Sequence, residues 1–142
     1  MAFEANRLLV ATRLLLDTHV VIRWLADPKK LSRDQKRALD LSISRAEPFG
    51  VSAITLLELA LLARQRSRLA AEPHEILQAL EAGPEFLIVP LSFAVADEVA
   101  SMGTSLRDFG DRTIVATARV HHLRLLTSDQ RIIQSKLVPI IE

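Results

Sequence analysis

The apolar positions of this chain fall into short unbroken runs separated by longer segments with helical spacing. The clearest run is Leu14-Leu15-Leu16. Three large apolar residues in succession predict a strand buried on both faces, as in a parallel sheet. The run ends at Asp17, and Val20, Val21, Trp24 and Leu25 then give a short helix that stops at Asp27-Pro28. Ser32 and Gln35 make a capping box for a helix reaching about Ser44. Phe49-Gly50-Val51-Ser52 predicts a second short strand, with Ser52 capping a long helix over residues 53–66. That helix is apolar nearly all round, which predicts burial, and it carries Glu58 in its middle. Pro73 opens a helix closed by Gly83-Pro84, and residues 86–89 read as a third buried strand. Ser92 caps a helix over residues 93–101, with Asp97 and Glu98 on its solvated face. A loop from Gly103 and the stretch Asp108-Phe109-Gly110-Asp111 lead into a helix over residues 112–122. Leu125-Leu126-Thr127 gives a fourth strand, and residues 138–141 a last one, placed at a sheet edge by Pro139.

Strands alternate with helices and no hairpin signal such as Asn-Gly appears. The expected fold is therefore a three-layer α/β/α sandwich with a mainly parallel central sheet of four or five strands. Residues 14–142 read as a single domain. Residues 1–13 are either a short extension or, through Leu8-Leu9-Val10, the start of the first strand.

Composition narrows the function. With 49% apolar residues the 142-residue chain is globular, and the absence of cysteine excludes disulfides, iron–sulfur clusters and cysteine-based zinc sites. A net charge of +1 excludes a general nucleic-acid coat. The basic clusters Lys29-Lys30, Lys36-Arg37 and Arg64-Gln65-Arg66-Ser67-Arg68 read as solvated helix faces. Few aromatics and no tyrosine exclude a base-stacking platform. No apolar run reaches the ~18 residues of a membrane helix, and Arg13 interrupts the segment that would otherwise resemble a signal peptide. The expected location is the cytoplasm.

In open α/β sheets ligands bind at the carboxyl ends of the strands. Asp17 follows the first strand, Glu58 lies under two turns into the helix after the second, and Asp129 follows the fourth. Asp111 starts the helix before that strand, and a right-handed crossover returns its N-terminus to the same rim. Each acid alone has an ordinary explanation: Asp17 a helix cap, Glu58 an exposed helix edge. Together they need a counter-charge, and hard divalent ions, Mg²⁺ or Mn²⁺, suit an all-oxygen set that does phosphodiester chemistry. A receiver domain is excluded because Asp17 stands alone, and Rossmann and P-loop readings fail for want of a glycine loop.

Four segments, in order, carry a resemblance. Leu14-Leu15-Leu16-Asp17-Thr18-His19, Ser52-Ala53-Ile54-Thr55-Leu56-Leu57-Glu58-Leu59-Ala60, Asp108-Phe109-Gly110-Asp111-Arg112-Thr113-Ile114-Val115-Ala116-Thr117-Ala118 and Leu126-Thr127-Ser128-Asp129 resemble the motifs of a PIN domain. More narrowly they are similar to VapC, the toxin of prokaryotic type II toxin–antitoxin pairs. The resemblance implies a Mg²⁺-dependent endoribonuclease, commonly a homodimer, that cuts RNA with water to leave a 5′-phosphate and a 3′-hydroxyl and is silenced by a VapB-type antitoxin. It implies Asp17, Glu58 and Asp111 as the principal metal ligands, Asp129 as the fourth acid, and Asp108 as a peripheral one. Phe109-Gly110 stands where relatives frequently have Pro-Phe. Thr18, Thr127 and Ser128 are candidate supporting hydroxyls. Arg112 is a candidate phosphate contact, against an ordinary helix ion pair, and His19 a candidate RNA contact. His121-His122 and Trp24 read as structural, and the apolar surface of residues 56–62 as core or as an antitoxin groove. Two alternatives stay open: an RNA-processing nuclease of the same fold without an antitoxin, and a catalytically inactive protein-binding module.

Overall fold

The computed structural model describes residues 2–64 and 72–142. In chain order the elements there are α1 (Ala2–Ala11), β1 (Leu14–Leu16), α2 (Thr18–Ala26), a 3₁₀ turn at Pro28–Lys30, α3 (Arg33–Ser44), β2 (Phe49–Ser52), α4 (Ala53–Leu62), α5 (Pro73–Ala82), β3 (Phe86–Val89), α6 (Phe93–Ser101), α7 (Phe109–Val120), β4 (Arg124–Leu126), α8 (Gln130–Ser135) and β5 (Ile140–Ile141). The strands form one parallel sheet in the order β3-β2-β1-β4-β5, so the leucine run is its central strand.

Alternate residues of a strand face opposite sides, and β1 shows what that does. Leu15 joins a core with Val95 of α6, Ile114 of α7 and Ile132 of α8. Leu14 and Leu16 join a second core with Val20 of α2, Leu39 of α3 and Leu80 of α5. Two helical layers therefore cover one sheet. Burying each such leucine contributes about 1.5–3 kcal/mol. Phe49 anchors the second core, packing edge-on against Trp24 at 5.3 Å and Phe86 at 5.9 Å between ring centroids.

Several local expectations change. Leu8-Leu9-Val10 does not lengthen the first strand but belongs to α1. In α4, Ile54, Thr55 and Leu59 are buried, but Leu57 and Leu61 are 57% and 60% exposed. A helix apolar all round is not thereby buried all round, because α4 crosses the sheet rim, with Ile54 in one core and Leu59 in the other. Its expected end and most of the basic cluster after Arg64 lie outside the described residues. β3 is only half-buried, as an edge strand is. β4 ends at Leu126, leaving Thr127 just beyond it. α7 begins at Phe109, not at Arg112, because the Asp108 side chain accepts from the Asp111 N–H and caps the helix there. The apolar pattern predicts no helix at α8; Asp129 caps it, Ile132 anchors it, and Lys136 ends it in the left-handed conformation at φ 56°.

Candidate metal centre

The register builds the site. Leu16 is paired with Val51 on one side and Leu126 on the other, so the next residues, Asp17, Ser52 and Thr127, emerge at one level of the rim. The Asp17 N–H still donates to the Leu126 carbonyl at 3.0 Å, which holds the carboxylate beside β4. There the Thr127 hydroxyl donates to Asp17 Oδ2 at 2.7 Å, while Oδ1 accepts from the Thr18 N–H at 2.7 Å. Asp17 is thus both the N-cap of α2 and a rim carboxylate. Thr127 also accepts from the Asp129 N–H at 3.1 Å, so one hydroxyl ties the first acid to the fourth.

Glu58 reaches the rim from α4. The Thr18 hydroxyl donates to its Oε1 at 2.6 Å. Since that uses Thr18's single proton, the Thr55 hydroxyl 2.9 Å away is the donor of the next bond. Asp111 arrives from the first turn of α7, 8% exposed, and its Oδ2 is buried without a hydrogen bond. Arg131 Nη2 forms a long ion pair with that oxygen at 3.4 Å and a closer one with Asp129 Oδ2 at 3.0 Å. Asp17, Glu58, Asp108, Asp111 and Asp129 line one cavity of about 290 Å³, with His19 and Arg131 as its basic members. A larger hollow of about 390 Å³ near the start of β4 gathers Arg119, His122 and Arg124 but a single acid, Glu98, already paired with Arg119.

Burial and crowding decide the charges. Burial pushes the Asp17 carboxyl up, opposed by the Thr127 hydrogen bond and by His19. Glu58 is raised by burial too, opposed by Thr18. Asp111 is pushed up to about 7, first by burial and then by Asp108, Asp129 and Asp17. Asp129 moves the other way, held low by its hydrogen bond from Arg131.

The donor chemistry fits a hard divalent cation. The site offers oxygen ligands only from its acids, an excess of negative charge, and one buried carboxylate oxygen without a donor. Among the described residues no three such side chains are already gathered into a closed ligand set. Each carboxylate is instead held by its own hydroxyl, amide or guanidinium partner.

Gly110 makes room for Glu58. A Cβ there would lie 2.8 Å from Glu58 Oε2 and 3.3 Å from Asp108 Oδ1. Gly110→Ala is expected to turn the Glu58 carboxylate away and weaken divalent-cation binding about tenfold. The thermal midpoint should hold or rise, because alanine favours the helix. A fall in both, measured by Mn²⁺ titration and a melt, would mean a packing defect instead.

Two sequence candidates stand elsewhere. Arg112 does not face the cavity; its guanidinium donates to the carbonyls of Val99, Met102, Gly103 and Leu106 at 2.6–2.9 Å. It makes neither the phosphate contact nor the helix ion pair, since the last turn of α6 and the following loop consume its donors. Ser128 accepts from Arg23 at 3.2 Å and Gln35 at 3.3 Å, away from the acids. His121 is structural, with burial lowering its basicity. The sequence reading missed Arg131; an Asp followed by Gln-Arg-Ile-Ile was the available signal of a capped helix that returns an arginine to its own cap.

The PIN domain family profile matches residues 14–136. Ribonuclease VapC22 of Mycobacterium tuberculosis is 38% identical over 122 residues, covering 85% of this chain and 90% of that protein. Among solved structures, FitAcB from Neisseria gonorrhoeae has a TM-score of 0.63 at 25% identity, over 91% of this chain and 96% of that one. VapBC2 from Rickettsia felis, bound to a DNA fragment from its promoter, shares the fold with a TM-score of 0.68 at 14% identity, over 92% and 98%.

Proposed function

The chain belongs to the PIN domain family, in its VapC branch, and from this premise we propose that it is a divalent-metal-dependent endoribonuclease, the toxin of a VapBC pair. The observation that carries the metal requirement is the Asp111 carboxylate, buried among acids with its Oδ2 lacking a hydrogen bond. Asp17, Glu58 and Asp111 would hold Mg²⁺, or Mn²⁺ in its place, with Asp129 beside them. The ion, when bound, supplies Lewis-acid stabilisation of the phosphate and acidifies a water.

The remaining work falls to the chain. Thr127 and Thr18 orient Asp17 and Glu58 by donating to them, which fixes which oxygens face the cavity. Asp129, lining the same cavity, is an acceptor that aligns the attacking water. Asp111 gives up a proton near neutrality, so cation binding strengthens as pH rises from 6 to 8. The products are a 5′-phosphate and a 3′-hydroxyl. A VapB-type antitoxin covers the exposed Leu57 and Leu61 of α4; Leu61 also lines the cavity, so that cover closes the site. The protein acts in the cytoplasm as a homodimer. No helix of the described residues is long and apolar enough to cross a membrane.

The test is cleavage of RNA by the purified protein. EDTA should abolish it, and Mg²⁺ or Mn²⁺ should restore it with a lower cation requirement at pH 8 than at pH 6. Cleavage indifferent to EDTA would overturn the metal assignment.

A further inference from the structure

Among the described residues, Arg131 is the only arginine or lysine lining the acid cavity. Its Nη2 stands 3.0 Å from Asp129 Oδ2 and 3.4 Å from Asp111 Oδ2, and its Nε lies 3.3 Å from Asp129 Oδ1. The guanidinium therefore meets the buried Asp111 oxygen, which accepts no hydrogen bond. We propose that Arg131 is an internal counter-ion, seated between Asp111 and Asp129 until a divalent cation displaces it, and that it thereby sets the affinity of the centre for metal. The inference rests on the metal-centre reading above.

Two features make the arginine displaceable. Its side chain is 69% exposed, so the guanidinium can swing into solvent, although the carboxylates it meets are only 11% and 19% exposed. A guanidinium and a divalent cation on the same carboxylate oxygen repel each other, so occupation by one excludes the other. The helix does not depend on the head group. Asp129 Oδ1 accepts from the Arg131 backbone N–H at 2.9 Å, and this cap of α8 survives any change of the side chain.

The experiment is calorimetric titration of the full chain with Mn²⁺ in the absence of RNA, for the wild type, Arg131→Gln, Arg131→Lys and Asp111→Asn. Arg131→Gln should bind Mn²⁺ about three- to tenfold more tightly, having lost its competitor. Arg131→Lys should fall between, because a point-charge ammonium bridges two carboxylates less well than a planar fork. Melts add a second readout. Metal-free Arg131→Gln should melt below the wild type, and saturating Mn²⁺ should erase the difference. Equal or weaker Mn²⁺ binding by Arg131→Gln, or a melting difference that persists at saturation, overturns the counter-ion role. If the wild type binds no Mn²⁺, or Asp111→Asn binds it equally well, the metal-centre reading itself fails.

Discussion

Asp111→Asn should abolish RNA cleavage and yet yield a more heat-resistant metal-free protein. The loss follows from removing a carboxylate on which the metal would depend. Metal assistance supplies several kcal/mol of transition-state stabilisation, so turnover should fall about 10²–10⁴-fold. The gain follows from the charge. Asp111 sits buried among Asp17, Asp108 and Asp129, and its carboxyl is pushed up to about 7. A folded acid that keeps its proton to higher pH than the unfolded chain does contributes stability that is lost as pH rises from about 4 through about 7. At pH 8 the wild type therefore carries a buried repulsive charge that asparagine lacks, and the variant should melt roughly 2–5 °C higher. At pH 5 that advantage should shrink, because Asp111 is then already protonated. Asp17 and Glu58 are raised as well, so some pH slope remains in the variant. Activity assays and melts at the two pH values check both halves. A variant that is inactive and also less stable at pH 8 would mean that Asp111 is a structural ligand of the fold.

Arg112→Ala should be the most destabilising single change near the site while leaving its acids in place. Four carbonyls at the end of α6 and in the loop after it lose their shared donor. Three of these bonds are part-buried and one is exposed; a lost hydrogen bond to a charged donor costs about 1–3 kcal/mol, least where water replaces it. A total near 3 kcal/mol is expected, a fall of roughly 6–15 °C in Tm. Arg112→Lys should recover less than half of it, because three donors on one nitrogen cannot fan across four carbonyls. Cation affinity of the lysine variant should match the wild type. Unchanged stability with a raised KM for RNA would instead restore Arg112 to the substrate.

These two neighbours show how far a sequence can be read. Asp111 was legible because strand-end topology places acids by backbone logic alone, and the same logic reached Asp17, Glu58 and Asp129. Arg112 was not legible, because its partners are carbonyls of residues 99–106, and nothing in the residue types there marks them as unsatisfied. Arg131 was hidden by the shortness of α8, six residues with a single fully buried anchor. Residues 56–62 stayed open between core and groove, with burial expected first, because an unbroken apolar helix carries no periodicity from which to choose a face; Leu57 and Leu61 prove exposed. Where one hydrophobic stripe exists the buried side follows from it; where every side is apolar, only the packed chain decides.

Asp17, Asp108 and Asp129 are each the N-cap of a helix, whereas Asp111 and Glu58 cap nothing. Asparagine caps a helix as well as aspartate does, since its side-chain oxygen still accepts from the backbone. At the three capping positions an exchange of one atom removes the charge and keeps the architecture, and the codons of the two amino acids differ by a single base. For Asp17 and Asp129, the two caps placed in the proposed metal centre, a folded and chemically silent descendant therefore lies one nucleotide away. Lineages that retain the scaffold have little to prevent them from losing the reaction, so in any such chain the acids must be inspected one by one before activity is inferred from shape.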